Sequence, residues 1–286
     1  MSSNDQLQRF LLDNLHIRGA VVRLDESVAQ VLKRHQYPQP VQQLLGQSTA
    51  AVVLMGATLK IEGSITLQAR GSGPLTLLMA ESSHRRTIRA IAQWEGEISD
   101  QQLQNQLGDA RLAITITPSK GSRYQGIVPL TEDHLAPCIE QYFRQSEQLP
   151  TALILFQRGQ LHGGILLQML PQPGQSHHTE SDDWQRAVHF LTTVSDEEFF
   201  GLDNAQLLHR LFHEDDLRLF DAEPVEFWCT CSEERTMDML KTLGREELEQ
   251  LLEEQGAIEV DCQFCHQQYR FGQDVIQRLF GNPTQH

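Results

Sequence analysis

The chain has 286 residues, 40% hydrophobic and 21% charged, with a formal net charge of −15 at pH 7. That length suits one large core with a small appendage, or two ordinary domains. The acidity is uneven: residues 1–177 carry 15 basic against 14 acidic side chains and residues 178–286 carry 8 against 24, so the C-terminal part repels phosphate backbones and argues against nucleic-acid binding.

In chain order, the opening "MSSNDQLQRFLLDNLHIRGA" is polar and amphipathic. It has no basic n-region, apolar h-region or cleavage site, so the expectation is a cytoplasmic protein without a signal peptide. Helical spacing of apolar residues appears in "SVAQVLKRH" and "PVQQLLGQSTAAVVLMGATL". The apolar run "AAVVLMGATL" is too short to span a bilayer and reads as a buried core helix, so no membrane is expected. "SITLQAR" and "PLTLLMAES" flank "GSG" as a hairpin. That glycine pair lacks a following helix and a Lys-Ser/Thr pair, so it is a turn and not a phosphate loop. "TIRAIAQWEG" reads as a strand, "SDQQLQNQL" as a capped helix, and "RLAITITPS" and "RYQGIVPL" as strands. "DHLAPCIEQYFRQSEQ" is helical, with Cys138 as a buried, inert thiol, and "TALILFQRGQ" and "GGILLQMLP" are two apolar strands. Strands mostly neighbour strands, which favours an α+β fold over a doubly wound sheet.

The breakers Pro171, Pro173 and Gly174 in "PQPGQSHHTESDD" predict a domain boundary, with His177 and His178 as surface residues of a connector. The following acidic segment carries Trp184, Phe190, Phe199, Phe200, Leu207, Leu208, Leu211, Phe212 and Phe220, which a disordered tether would lack. Its helical pieces "DDWQRAVHFLTTV" and "NAQLLHRLFHEDD" need a surface to rest on. The reading is a conditionally folded segment docked on the N-terminal domain. The expected organisation is 1–175, an N-terminal mixed sheet and helix domain, then a helical linker, 176–228, then a small cysteine domain, 229–286.

Four of the five cysteines form Cys229-x-Cys231 and Cys262-x-x-Cys265. Each pair can pinch one ion from a tight turn, and four sulfurs suit tetrahedral Zn²⁺, although a soft sulfur set also holds iron. On spacing alone a static structural zinc domain and a redox-active one are both open. Between the pairs, two short helices break at Gly244 and end near Gly256, and a strand leads into Cys262. "CHQQYRFGQDVI" continues as a turn and strand, with His266 read as a surface residue rather than a fifth ligand.

A C-x-C followed by a C-x-x-C at the end of such a chain resembles the redox-regulated holdase chaperones, the bacterial heat-shock proteins of about thirty-three kilodaltons. "DQLQRFLLDN", "YPQPV", "TITPSKGSRYQGIVPL", "YFRQSEQLPT", "GGILLQMLP", "VEFWCTCSEER" and "CQFCHQQYRF" all look like that family, in the right order. The resemblance implies an ATP-independent, non-enzymatic chaperone, inactive when reduced and zinc-bound and activated by oxidation. It implies Cys229, Cys231, Cys262 and Cys265 as ligands of one Zn²⁺ per chain and as switch thiols, with no switch role for Cys138. It implies a metastable linker whose client-binding candidates are Trp184, Phe190, Phe199, Phe200, Leu211 and Phe212. The implied partners are unfolding client proteins, a second copy in an activated homodimer, and ATP-dependent refolding chaperones that receive the clients.

Thiolates are the species that oxidants attack, and each cysteine has a near neighbour to resolve a sulfenic acid, so the expected disulfides are Cys229–Cys231 and Cys262–Cys265. Structural zinc contributes on the order of 10–16 kcal/mol, coupled to folding, whereas such short disulfide loops contribute only about 2 kcal/mol each. Two readings compete. A thiol–disulfide oxidoreductase using Cys262 and Cys265 lacks a thioredoxin-like βαβ context, and a nucleic-acid-binding zinc ribbon is opposed by charge.

Overall fold

The structure, a computed structural model, describes residues 5–60, 62–98, 102–171 and 181–281. It divides into two compact units between Trp228 and Cys229. The expected boundary residues Pro173, Gly174, His177 and His178 lie outside the described residues.

The first unit opens with the hairpin β1 (Gln6–Leu12) and β2 (Ile17–Leu24), then α1 (Glu26–Leu32) and α2 (Gln39–Thr58). A meander of β3 (Gly63–Arg70), β4 (Leu75–Ser83) and β5 (Thr87–Trp94) follows, then α3 (Leu103–Leu107), β6 (Arg111–Pro118), β7 (Tyr124–Pro129), α4 (Leu135–Tyr142), β8 (Thr151–Arg158) and β9 (Leu161–Met169). The acidic segment forms α5 (Asp182–Thr192), α6 (Asp196–Gly201), α7 (Asn204–Phe212) and the short strands β10 (Leu217–Leu219), β11 (Glu223–Pro224) and β12 (Glu226–Phe227). The α+β class expected from the sequence is the one observed. The reading of residues 1–20 as an amphipathic N-terminus missed β1 and the start of β2, and the three short strands at 217–227 were not anticipated.

One sheet runs β10-β1-β2-β9-β8, with β11 also on β1, and the other runs β12-β5-β4-β3-β6-β7. α2 lies between them. Twelve of its residues, among them Val41, Leu45, Val52, Val53 and Leu54, are buried, and the stretch 50–55 is apolar all round, as suits a helix enclosed on every side. The expectation of a buried core helix here is met.

Alternation along β1 and β2 sends Leu7, Ala20, Val22 and Leu24 toward the core around α2, and Phe10, Leu12, Ile17 and Val21 to the other face of the sheet. That outer face carries α5–α7. Trp184, Ala187, Leu191, Phe199, Leu207, Leu208 and Phe212 form one cluster with it. Each such burial stabilises by about 1.5–3 kcal/mol, against the cost of ordering a segment with little core of its own.

His162, the second residue of β9, points the other way, toward α2. It is 1% exposed, and a Cβ on Gly46 would fall 2.2 Å from its ring. Its Nδ1 has no partner, and burial holds the imidazole down to about 4 from 6.5. A lowered histidine pKa contributes stability above pH 6.5 that is lost as pH falls toward about 4, here on the order of 3 kcal/mol. Urea titrations between pH 7 and pH 4.5 should show the first unit weakening, and His162→Leu should remove about that much of the dependence. An unchanged slope would contradict the assignment.

Candidate metal centre and its docked segment

In the second unit, Ser232 caps α8 (Glu233–Lys241) by accepting from Arg235 N–H, and α9 (Arg245–Gln255) ends on Gly256 at φ +76°. β13 (Ile258–Asp261) and β14 (Gln268–Phe271) pair antiparallel, and α10 (Asp274–Phe280) closes the unit. The strand expected through "QDVI" is instead the start of α10, whose Val275 and Ile276 enter the small core. Among the described residues, that core holds Leu240, Leu248, Leu252, Ile258, Phe271, Val275 and Ile276 as buried apolar residues.

The Cys229–Cys231 loop runs straight into the α8 cap and is held by Arg235 Nη1, which donates to Thr230 O at 2.9 Å. The Cys262–Cys265 turn closes the β13–β14 hairpin. His266 N–H donates to Cys262 O at 2.8 Å and Cys262 N–H to Gln267 O at 3.0 Å, with His266 in the left-handed region at φ 57°. His266 therefore shapes the turn through its backbone and is not among the clustered ligand atoms.

These two turns bring the Sγ atoms of Cys229, Cys231, Cys262 and Cys265 within 4.8 Å of one another. Cys229 lies 3.6 Å from Cys262, and Cys231 lies 3.4 Å from Cys265. Sulfurs about 2.3 Å from one tetrahedral centre lie about 3.8 Å apart, so the set fits a single metal ion. Burial raises the Cys229 and Cys265 thiols. Burial would also raise Cys231, but hydrogen bonds from Tyr269 and the neighbouring thiols outweigh it and the net shift is down. Sulfurs this close ionise together only around a cation, which is the chemistry of a metal-ligand set. Tyr269 Oη donates to Cys231 Sγ at 3.2 Å. This hydrogen bond, the sulfurs beside it and burial hold the phenol up to about 12. Sequence reading passed over Tyr269, and its one signal was a strand position just beyond the C-x-x-C turn.

Cys138 is in the first unit, on α4, where burial raises its thiol. It takes no part in the cluster, and the buried position expected of it is the one observed.

The residues singled out in the acidic segment divide by burial. Phe199 is fully buried, stacks on Phe156 at 4.2 Å and lies over Gly163, where a Cβ would fall 2.6 Å from its ring. Phe212 is buried and stacks on Phe10 at 6.2 Å, and Trp184 is 4% exposed. Phe190, Phe200 and Leu211 are only partly buried at the margin of this cluster.

Polar contacts tie the segment down as well. Asp215 accepts from Arg186 at 2.7 and 3.2 Å and from Asn14 at 3.1 Å. Burial alone would raise that carboxyl, but these bonds and the guanidinium charge lower it overall. Arg186→Ala strands the Asp215 carboxylate and should weaken docking of α5 and α7 by about 2–3 kcal/mol, discounted for the partial exposure of Arg186. Amide exchange over 182–212 reads the effect, and exchange as slow as in the unaltered protein would refute it.

Arg23 is the opposite case. Its Nε donates to Asn204 at 2.6 Å and its guanidinium lies 4.5 Å over the Phe199 ring. Burial pulls it down to about 10, against the favourable charge of Asp203. Its buried Nη2 has no partner. A guanidinium desolvated against a neutral amide opposes docking.

Among the described residues no helix is long and apolar enough to cross a membrane. The family model described as Hsp33 protein matches residues 5–272. A 33 kDa chaperonin of Hahella chejuensis is 50% identical over 283 residues, covering 99% of this chain and 99% of its own. A 33 kDa chaperonin of Ectopseudomonas mendocina is 48% identical over 281 residues, covering 97% of this chain and 95% of its own. The solved structure of a 33 kDa chaperonin (heat shock protein 33 homolog) from Thermotoga maritima matches with a TM-score of 0.83 over 96% of this chain and 97% of that one. At 21% identity that likeness is one of fold.

Proposed function

The chain belongs to the Hsp33 family of chaperones, which are not enzymes, and from that premise we propose that it is an ATP-independent holdase held inactive while its four clustered cysteines are reduced and metal-bound. The observation that carries this reading is the four-sulfur cluster in a unit whose own core is small. Cys229, Cys231, Cys262 and Cys265 would hold the ion, and zinc is the one the donor set favours. When bound, zinc keeps four sulfurs as thiolates and ties the two turns together without redox chemistry of its own.

A hydroperoxide supplies the oxidising equivalents. One thiolate attacks the O–O bond, becoming a sulfenic acid as hydroxide leaves. A neighbouring thiolate then attacks that sulfur, forming a disulfide as a second hydroxide leaves. Two such events consume two peroxides and convert four thiolates into two disulfides. The closest sulfur contacts cross between the turns, from Cys229 to Cys262 and from Cys231 to Cys265. Once the turns separate, the partner one or two residues away has the shorter loop to close, which supports Cys229–Cys231 and Cys262–Cys265 as the final pairs.

Those disulfides leave no cross-link from residue 229 to residue 265, and the small core and surface ties that remain are too weak to keep the second unit folded. The docked segment would lose its ordered neighbour at Trp228. Its own balance is already poor, with Arg23 desolvated and the segment strongly acidic. Release of Trp184, Phe199 and Phe212 would bare them and the sheet face of Phe10, Ile17 and Phe156, the apolar area an unfolding client seeks. The activated protein would act as a cytoplasmic homodimer, without binding nucleic acid, and pass its clients to ATP-dependent refolding chaperones.

Light scattering of a thermally unfolding enzyme tests this. Peroxide-treated protein should suppress aggregation near one chain per client while reduced, zinc-loaded protein should not. Equal suppression in both states would rule out the switch.

A further inference from the structure

The hydrogen bond from Tyr269 to Cys231 sets one sulfur of the cluster apart. Tyr269 comes from β14, opposite Val260, with its ring packed partly into the small core. Its Oη is thus carried by a paired strand and aimed at Cys231 Sγ from outside the two turns.

A hydrogen bond to a metal-held thiolate draws charge from the sulfur and occupies one of its lone pairs. Both effects lower its nucleophilicity toward an O–O bond. We propose that Tyr269 is a positioning residue of the redox switch, whose phenol holds and shields Cys231 so that peroxide attacks the other sulfurs first and the cluster opens more slowly than its thiolates alone would allow. The electron and proton balance is that of the oxidation already described, and Tyr269 is neither oxidised nor consumed. This inference rests on the cysteine cluster being a zinc-bound switch.

The test uses the full chain, reduced and zinc-loaded, with peroxide added in modest excess. Zinc release is followed with a chelating dye, and samples quenched early are mapped by differential alkylation and mass spectrometry. In the unaltered protein Cys231 should be the last of the four to be modified. Tyr269→Phe keeps the ring and removes the hydroxyl. It should release zinc about threefold to tenfold faster, as the loss of one such hydrogen bond implies, and should bring Cys231 forward in the order. Arg270→Gln, its exposed neighbour on β14, should keep the unaltered rate.

Early modification of Cys231 in the unaltered protein would overturn the proposal without reference to any variant. So would equal release from Tyr269→Phe, while leaving the switch itself standing. Retention of zinc by every variant under peroxide would instead sink the switch reading, and this inference with it.

Discussion

Removing the metal from the reduced protein should unfold residues 229–281 and leave the two-sheet body folded. Among its described residues the second unit has seven buried apolar side chains, too few for a domain of this size to stand alone. Its surface ties are modest, such as Arg278 to Glu233 at 2.6 Å and Arg245 to the Gly281 carbonyl at 2.9 Å. Both arginines are partly exposed, so each contributes little. Against that, a four-thiolate zinc site contributes on the order of 10–16 kcal/mol, coupled to folding. Chelation should therefore abolish amide protection across α8, α9 and α10, and Cys262→Ser should do the same without chelator. Persistent protection after the metal is gone would mean the small core suffices, and the cluster could not control the fold.

Phe199→Ala should release α5–α7 from the sheet in the reduced protein, without any oxidant. Phe199 is fully buried, stacked on Phe156, edge-on to Phe200 at 4.8 Å and beneath the Arg23 guanidinium. Truncating such a ring costs about 3–5 kcal/mol, a large share of what a segment with few anchors holds in reserve. The variant should bind an apolar dye and hold clients while its zinc stays in place. Phe190→Ala, at the margin of the cluster, should lose far less. A Phe199→Ala protein that keeps α5–α7 protected would show that docking is not marginal. One that releases them yet holds no client would show that the bared surfaces are not the client site.

The cysteine spacing was legible because a metal site is written locally: two turns, each fixed by one or two intervening residues. The same holds for α2, whose apolar run needs no partner to be recognised as core. Phe199 and Phe212 were legible as anchors, but the surface that receives them was not. Phe10 and Ile17 lie in a stretch read as an amphipathic terminus, and Ile17 and Val21 on β2 find their partners Met169 and Ile165 on β9 some 150 residues away. Gly163 carries no hydrophobic signal at all, yet its missing side chain is what admits the Phe199 ring. The strands β10, β11 and β12 are two or three residues long, too short to show alternation, and exist because β1 and β5 offer free edges. Tyr269 sits among residues that looked like an ordinary strand, and only the turn that brings Cys231 to its hydroxyl distinguishes it.

The most direct test follows zinc and amide exchange together in the full chain as peroxide is added to the reduced, loaded protein. One zinc per chain should leave as protection is lost over 229–281 and then over 182–212, while β2, β9 and α2 stay protected, and reductant with zinc should restore the starting pattern. Loss of zinc with 182–212 still protected would break the link between the cluster and the docked segment, and with it the account of how oxidation exposes a client surface.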